Sequence, residues 1–130
     1  MRRVALLKFS LRGRNSHIAK GKYGEDLATL FLKKGGYKIL GRNVIIKRHE
    51  VDIIAMDQNQ LVFIEVKSRS ENCMIDPLEV VNSKAQQRLK RAANLFIAKQ
   101  KLSDLSVRFD IIAIYIAGND AQVKHIRNAF

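Results

Sequence analysis

Two short stretches constrain this chain more than anything else in it. Residues 50–56 (Glu-Val-Asp-Ile-Ile-Ala-Met) and 61–67 (Leu-Val-Phe-Ile-Glu-Val-Lys) are rich in branched and aromatic side chains, as buried strands are, yet each carries two charged residues spaced i, i+2. Side chains on a strand alternate faces, so Glu50 shares a face with Asp52, and Glu65 with Lys67. Asp57-Gln58-Asn59-Gln60 is the turn between the two strands. With that loop centred between Gln58 and Asn59, a hairpin sets Asp52 opposite Glu65 and Glu50 opposite Lys67.

Opposed β-carbons in an antiparallel pair stand roughly 4.5–5.5 Å apart, and like charges there destabilise a sheet. Attraction accounts for Glu50 beside Lys67, but folding alone gives no reason for Asp52 beside Glu65. Two converging carboxylates suit a hard divalent cation, Mg²⁺ or Mn²⁺, whose octahedron is completed by water and phosphate oxygens. Lys67 beside them can orient or help deprotonate an attacking water and stabilise charge on a scissile phosphate. The group therefore reads as a phosphodiesterase centre. The competing reading makes Asp52 and Glu65 solvated carboxylates neutralised by Arg69, Lys47 or Arg48. Phe63, Ile64 and Val66 weigh against it, because a freely solvated strand seldom has such neighbours.

The charge of the whole chain points the same way. Lys and Arg number 24 against 12 Asp and Glu, a net charge of +12 that favours polyanionic partners. Arg2, Arg3, Lys8, Arg12, Arg14, Lys20 and Lys22 all precede the first acid, Glu25, and a second acid-free run holds Lys84, Arg88, Lys90, Arg91, Lys99 and Lys101. Such runs suit phosphate backbones, where counterion release supplies affinity. Lys84, Arg88, Arg69, Arg12, Arg14, Lys20 and Lys22 are the expected nucleic-acid contacts.

Other classes are excluded by what is scarce. The single cysteine, Cys73, permits no intrachain disulfide or four-cysteine zinc site, and the three histidines do not cluster. Lys8 ends the apolar run that follows Met1-Arg2-Arg3 too early for a signal peptide, and residues 111–117 are too few to span a bilayer. A cytoplasmic protein is expected, with membrane association disfavoured.

Residues 16–34 show helical spacing of Tyr23, Leu27, Ala28, Leu30 and Phe31, stopped by Gly35-Gly36. Strands are predicted over residues 37–46, 50–56 and 61–67. Asp76-Pro77 then opens a second helix with the stripe Leu78, Val81, Ala85, Leu89, Ala92 and Phe96, and Lys84, Arg88 and Arg91 on an adjacent flank. A continuous apolar strand over residues 107–116 belongs in the middle of the sheet, and a more polar one over 122–127 ends the fold. The α-β-β-β-α-β-β order implies an α/β fold, a mixed central sheet flanked by helices. It forms one domain over residues 18–130, preceded by a basic, flexible N-terminal arm over 1–17.

At Asp52 and Glu65-Val66-Lys67 the chain resembles the restriction-endonuclease-like superfamily, whose motif is an acid, a gap, then Asp or Glu, any residue, and Lys. More closely it is similar to the YraN family of small bacterial proteins, itself similar to archaeal Holliday-junction resolvases. The residues carrying this resemblance are Gly24-Glu25, Ala28, Leu32, Gly36-Tyr37, Asn43, Glu50-Val51-Asp52-Ile53-Ile54 and Phe63-Ile64-Glu65-Val66-Lys67-Ser68-Arg69. Lys84, Arg88-Leu89, Ala93 and Arg108-Phe109-Asp110 extend it. It implies a restriction-endonuclease-like core with Asp52, Glu65 and Lys67 as a metal-dependent centre, Glu25 bringing a further carboxylate to the metal, and Glu50 in support. His49 departs from the family, which usually has glycine there.

The expected function is thus Mg²⁺-dependent cleavage of structured or branched DNA, and junction cleavage would call for a twofold homodimer. The alternative is an accessory module that keeps the fold and binds nucleic acid without cutting it. A third reading, adhesion to an anionic membrane or the ribosome surface, predicts that deleting the residues before Ser16 removes association.

Overall fold

The computed structural model describes residues 3–10, 20–70 and 82–130, with side chains described for residues 23–69 and 82–130. In chain order the described elements are β1 (Arg3–Ser10), α1 (Lys20–Lys34), β2 (Lys38–Ile46), β3 (His49–Asp57), β4 (Gln60–Ser70), α2 (Ser83–Gln100), β5 (Ser106–Ala117) and β6 (Asp120–Arg127). The strands form one sheet in the order β1-β6-β5-β4-β3-β2. Each neighbouring pair is antiparallel except β4 and β5, which run parallel and are joined through α2. This is the restriction-endonuclease-like α/β fold.

Local chemistry explains most element boundaries. α1 ends where Gly36 takes a left-handed φ of 88°, and the Tyr37 N–H then donates to the Leu32 carbonyl, satisfying a helix-end acceptor. The described part of α2 begins after Asn82, whose side chain accepts from the Ala85 N–H. The Asp76-Pro77 start, with Leu78 and Val81, lies outside the described residues. Two-residue turns at 47–48 and 58–59 close the β2-β3 and β3-β4 hairpins, with Lys47 and Gln58 at positive φ. β5 lies between β4 and β6, and Ile111, Ile112, Ala113 and Ile114 are all buried, as its unbroken apolar run implied.

The sheet separates two apolar layers. Tyr23, Leu27, Ala28 and Leu32 of α1 pack on Ile53, Ala55, Val62, Ile64, Ile112 and Ile114. Leu89, Ala92 and Ala93 of α2 pack with Val51, Ile54, Leu61 and Phe63. Burying each leucine stabilises the fold by about 1.5–3 kcal/mol against exposure. No described helix is long and apolar enough to cross a membrane.

The structure departs from expectation at the N-terminus. Arg3–Ser10 is not outside the sheet: as β1 it pairs along β6, from Arg3 opposite Arg127 to Ser10 opposite Asp120. The reason is that its partner strand lies at the far end of the chain, so no local signal marks the four apolar residues Val4 to Leu7 as a strand. Residues 11–17 of the expected arm lie outside the described residues.

Close approach of α1 to β4 depends on Gly24. A β-carbon there would overlap Ser68 Oγ and stand 3.1 Å from Ser68 Cβ. Gly24→Ala should therefore lower stability by about 1–3 kcal/mol, the usual cost of overpacking, despite the better helix propensity of alanine. Ser68 Oγ is buried without a hydrogen-bond partner among the described residues, so adding Ser68→Ala should recover most of the loss in a urea titration.

Candidate functional site

The β3-β4 ladder runs in the expected register, Asp57 opposite Gln60 back to Ile53 opposite Ile64, and stops there. Beyond Ile53 the strands part. β3 stays with β2, where Val51 faces Val44 and Glu50 faces Ile45, while β4 stays with β5, where Glu65 faces Ile111 and Lys67 faces Ala113. Asp52 and Glu65 are the first residues past the last rung. Asp52 fills the gap with its side chain: Oδ2 accepts the Val66 N–H at 2.8 Å. Among the described residues Oδ1 accepts no hydrogen bond.

Glu65 is 5% exposed and held by two cations, Lys67 Nζ at 3.3 Å from Oε1 and Arg88 NH2 at 2.9 Å from Oε2. This excludes the solvated-carboxylate alternative for Glu65 and shows which bases neutralise it. Asp52 has no ion pair among the described residues. Burial, then the charges of Glu65 and Glu25, push its pKa up to about 7 against the opposing Val66 hydrogen bond and Lys67. A carboxyl that binds its proton more tightly folded than unfolded stabilises the fold below its unfolded pKa, and that stability is lost as pH rises through the folded pKa. Metal-free protein should therefore lose thermal stability between pH 4 and 7 relative to Asp52→Asn, and Mn²⁺ should offset the loss at pH 7 and above. Melting curves of both proteins across that range would show it.

The remaining expected site residues divide. Glu25 on α1 accepts from Asn43 Nδ2 at 2.9 Å and lies 4.0 Å from Arg42, whose other contact is Asp26 at 2.6 Å. It acts on Asp52 through space, and among the described residues no three Asp, Glu, His or Cys side chains are grouped to hold a metal together. Glu50 is exposed and does not meet Lys67, because the ladder that would oppose them has ended. Lys67 pairs with Glu65 on its own strand instead. Arg88, expected on the phosphate-binding flank, reaches Glu65. Lys84 is exposed on the first turn of α2, and Arg69 donates to the Ser68 carbonyl at 2.8 Å. Lys20 and Lys22 lie on the first turn of α1, where only backbone is described, and Arg12, Arg14 and Cys73 lie outside the described residues.

A second polar cluster sits at the opposite end of the sheet, by the β3-β4 turn. Arg108 uses all five donors: Nε and NH2 on Asp110, NH1 on Asp57 and Gln60, and NH2 on the Tyr37 hydroxyl, at 2.7–3.0 Å. Asp110 is also met by His125 Nε2 at 2.8 Å and the Asn128 N–H at 3.0 Å. With its donors spent internally, Arg108 is a brace between β5, the β3-β4 turn and the start of β2. The fork thus holds two carboxylates in unequal environments, whereas the donors of Arg108 are all engaged.

The comparisons bear on the same residues. The model of "Uncharacterised protein family UPF0102" matches residues 24–114. The chain belongs to the UPF0102 family. A UPF0102 protein of Flavobacterium johnsoniae is 44% identical over 117 residues, covering 88% of this chain and 95% of that relative. One from Geobacter metallireducens is 41% identical over 110 residues (85% and 90%), and one from Syntrophotalea carbinolica 38% over 113 (87% and 92%). This is the YraN family anticipated from the motifs. The UPF0102 match begins at Gly24 and takes in Glu25, Asp52, Glu65, Lys67, Arg88 and Arg108, whereas β1 precedes it and His125 follows it.

Proposed function

We propose that this UPF0102 protein is a divalent-cation-dependent nuclease acting on structured or branched DNA. The observation that carries the reading is the fork itself: two carboxylates brought to the end of a ladder, one nearly buried and paired with Lys67, the other raised in pKa by burial and then by its neighbour. Perturbed carboxylates of this kind cluster at catalytic centres.

The donor set fits Mg²⁺ or Mn²⁺. Mg²⁺ characteristically takes one or two carboxylates and fills its remaining positions with water and substrate phosphate. Among the described residues Asp52 Oδ1 accepts no hydrogen bond, and the charge of Glu65 acts on this carboxyl. Asp52 and Glu65 would hold the cation, which when bound polarises the phosphate and lowers the pKa of water.

The chain's own residues do the rest. The Val66 N–H fixes Asp52 by Oδ2 and leaves Oδ1 open. Lys67, held at Glu65 Oε1, keeps its ammonium beside the reacting phosphate, where it stabilises developing charge and orients water. Glu25, tethered by Asn43, keeps the site acidic enough to retain a cation within a protein of charge +12. Lys84 and the basic residues before Glu25 supply phosphate contacts along the backbone. Cutting both strands of a junction requires two such centres, which a twofold dimer provides.

Labelled duplex, single-stranded and four-way-junction DNA, with matching RNA, should be incubated with the protein in Mg²⁺, Mn²⁺ or EDTA. Cleavage in the metal lanes alone is expected, with the junction the preferred substrate. Salt-sensitive binding without cleavage in any metal lane would instead make the protein an accessory module.

A further inference from the structure

Arg88 holds the carboxylate oxygen that a cation at the fork would need. Glu65 has two oxygens, and both are engaged: Oε1 by Lys67 and Oε2 by Arg88. In that state its charge is already neutralised, so a divalent cation can bind well only if one partner leaves. Lys67 is two residues away on the same strand and shares its face, so the backbone keeps it close. Arg88 comes from α2, across the layer, and its side chain is 40% exposed, which gives it a path outward. It is the partner with room to leave.

A second observation concerns the other atoms of that guanidinium. Arg88 Nε is buried and, among the described residues, has no hydrogen-bond partner. A buried donor left unpaired costs on the order of 1–3 kcal/mol. The carboxylate pairing therefore satisfies Arg88 only in part. Two phosphate oxygens beside Glu65 would accept from Nε and an adjacent N–H in parallel, the paired-donor geometry in which arginine binds phosphate best.

We propose that Arg88 is an exchangeable positioning residue: its guanidinium occupies Glu65 in the free protein and transfers to a nucleic-acid phosphate as a divalent cation takes its place. This rests on the metal-dependent reading above and adds its coupling. The exchange conserves charge. The carboxylate trades a guanidinium for the cation, and the guanidinium trades a carboxylate for a phosphate. Each event favours the other, so by linkage the cation tightens nucleic-acid binding by the same factor that nucleic acid tightens cation binding. Free protein holds its cation weakly, which keeps the centre idle until a phosphate arrives.

The test uses the full chain and two probes. Calorimetric titration with Mn²⁺ alone should show Arg88→Met binding at least about fivefold more tightly than wild type, the lower end of common coupling strengths. Arg88→Gln should show the same gain, and both should match wild type in far-ultraviolet circular dichroism. Anisotropy of a short fluorescent DNA duplex should then rise in affinity on adding Ca²⁺ for wild type and show no such rise for Arg88→Met. If both variants bind Mn²⁺ no more tightly than wild type while Asp52→Asn binds none, the exchange is overturned and the metal centre stands. If neither wild type nor the Arg88 variants bind Mn²⁺, both readings fall.

Discussion

Glu65→Ala should abolish metal-dependent cleavage, lowering the rate on the order of 10³-fold or more, while salt-sensitive DNA binding remains. Its place in the fold makes this clean. Glu65 is buried at the fork, but the two bases it holds, Lys67 and Arg88, have side chains 30% and 40% exposed and can turn to solvent when it is removed. The apolar layers on either side do not depend on it. Removing an acid also leaves the chain more basic, so backbone affinity should be unchanged or rise. A gel assay at fixed ionic strength, paired with thermal melting, separates lost chemistry from lost fold. Cleavage surviving at more than a few per cent of wild type would place the reacting centre elsewhere.

Arg108→Ala should be the most damaging single change to stability. It strips two carboxylates of their counter-ion at once, and Asp110 is fully buried. Burial alone would raise the pKa of Asp110, but hydrogen bonds from His125, Arg108 and the Asn128 N–H outweigh it and hold the carboxyl below its ordinary range. Removing one partner of a buried ion pair costs about 3–5 kcal/mol, because the charge left behind has no solvent to replace it. For a domain of this size that corresponds to a fall in melting temperature of roughly 10 °C or more. Arg108→Met together with Asp110→Asn should lose less than Arg108→Ala alone, since the buried charge goes with its partner. Equal losses would mean that packing, rather than charge, makes the brace matter.

The two results divide the polar residues by role. Both clusters contain buried acids beside arginine, and a strand sequence does not distinguish them. The difference lies in saturation. At Arg108 every donor has an acceptor, so the network closes on itself. At the fork Asp52 Oδ1 and Arg88 Nε have no partner among the described residues, one acceptor and one donor, and on the proposed reading a cation with a phosphate would complete both.

What was legible before any coordinates follows from short-range rules. Strand alternation and a four-residue turn were enough to set the β3-β4 register as far as Ile53 opposite Ile64, one step short of Asp52 and Glu65. Gly35-Gly36 marked the end of α1, and an apolar run without polar relief marked β5 as internal. These features depend on neighbours a few residues away, where the period of the backbone and the preferences of turn residues act.

What remained hidden was decided by contacts between distant segments. The β3-β4 ladder ends at Ile53, beyond which β3 stays with β2 and β4 with β5, so its register reaches neither Asp52 and Glu65 nor Glu50 and Lys67. β1 is a strand because β6 offers it an edge, and Arg88 belongs to the fork because α2 packs with Val51, Ile54, Leu61 and Phe63. The sequence by itself determined the fold class and the family, and marked Asp52 and Glu65 as carboxylates within apolar strands. Only the tertiary structure decided which cations those carboxylates meet, since a charge is neutralised by what is near in space and the chain order does not encode that distance.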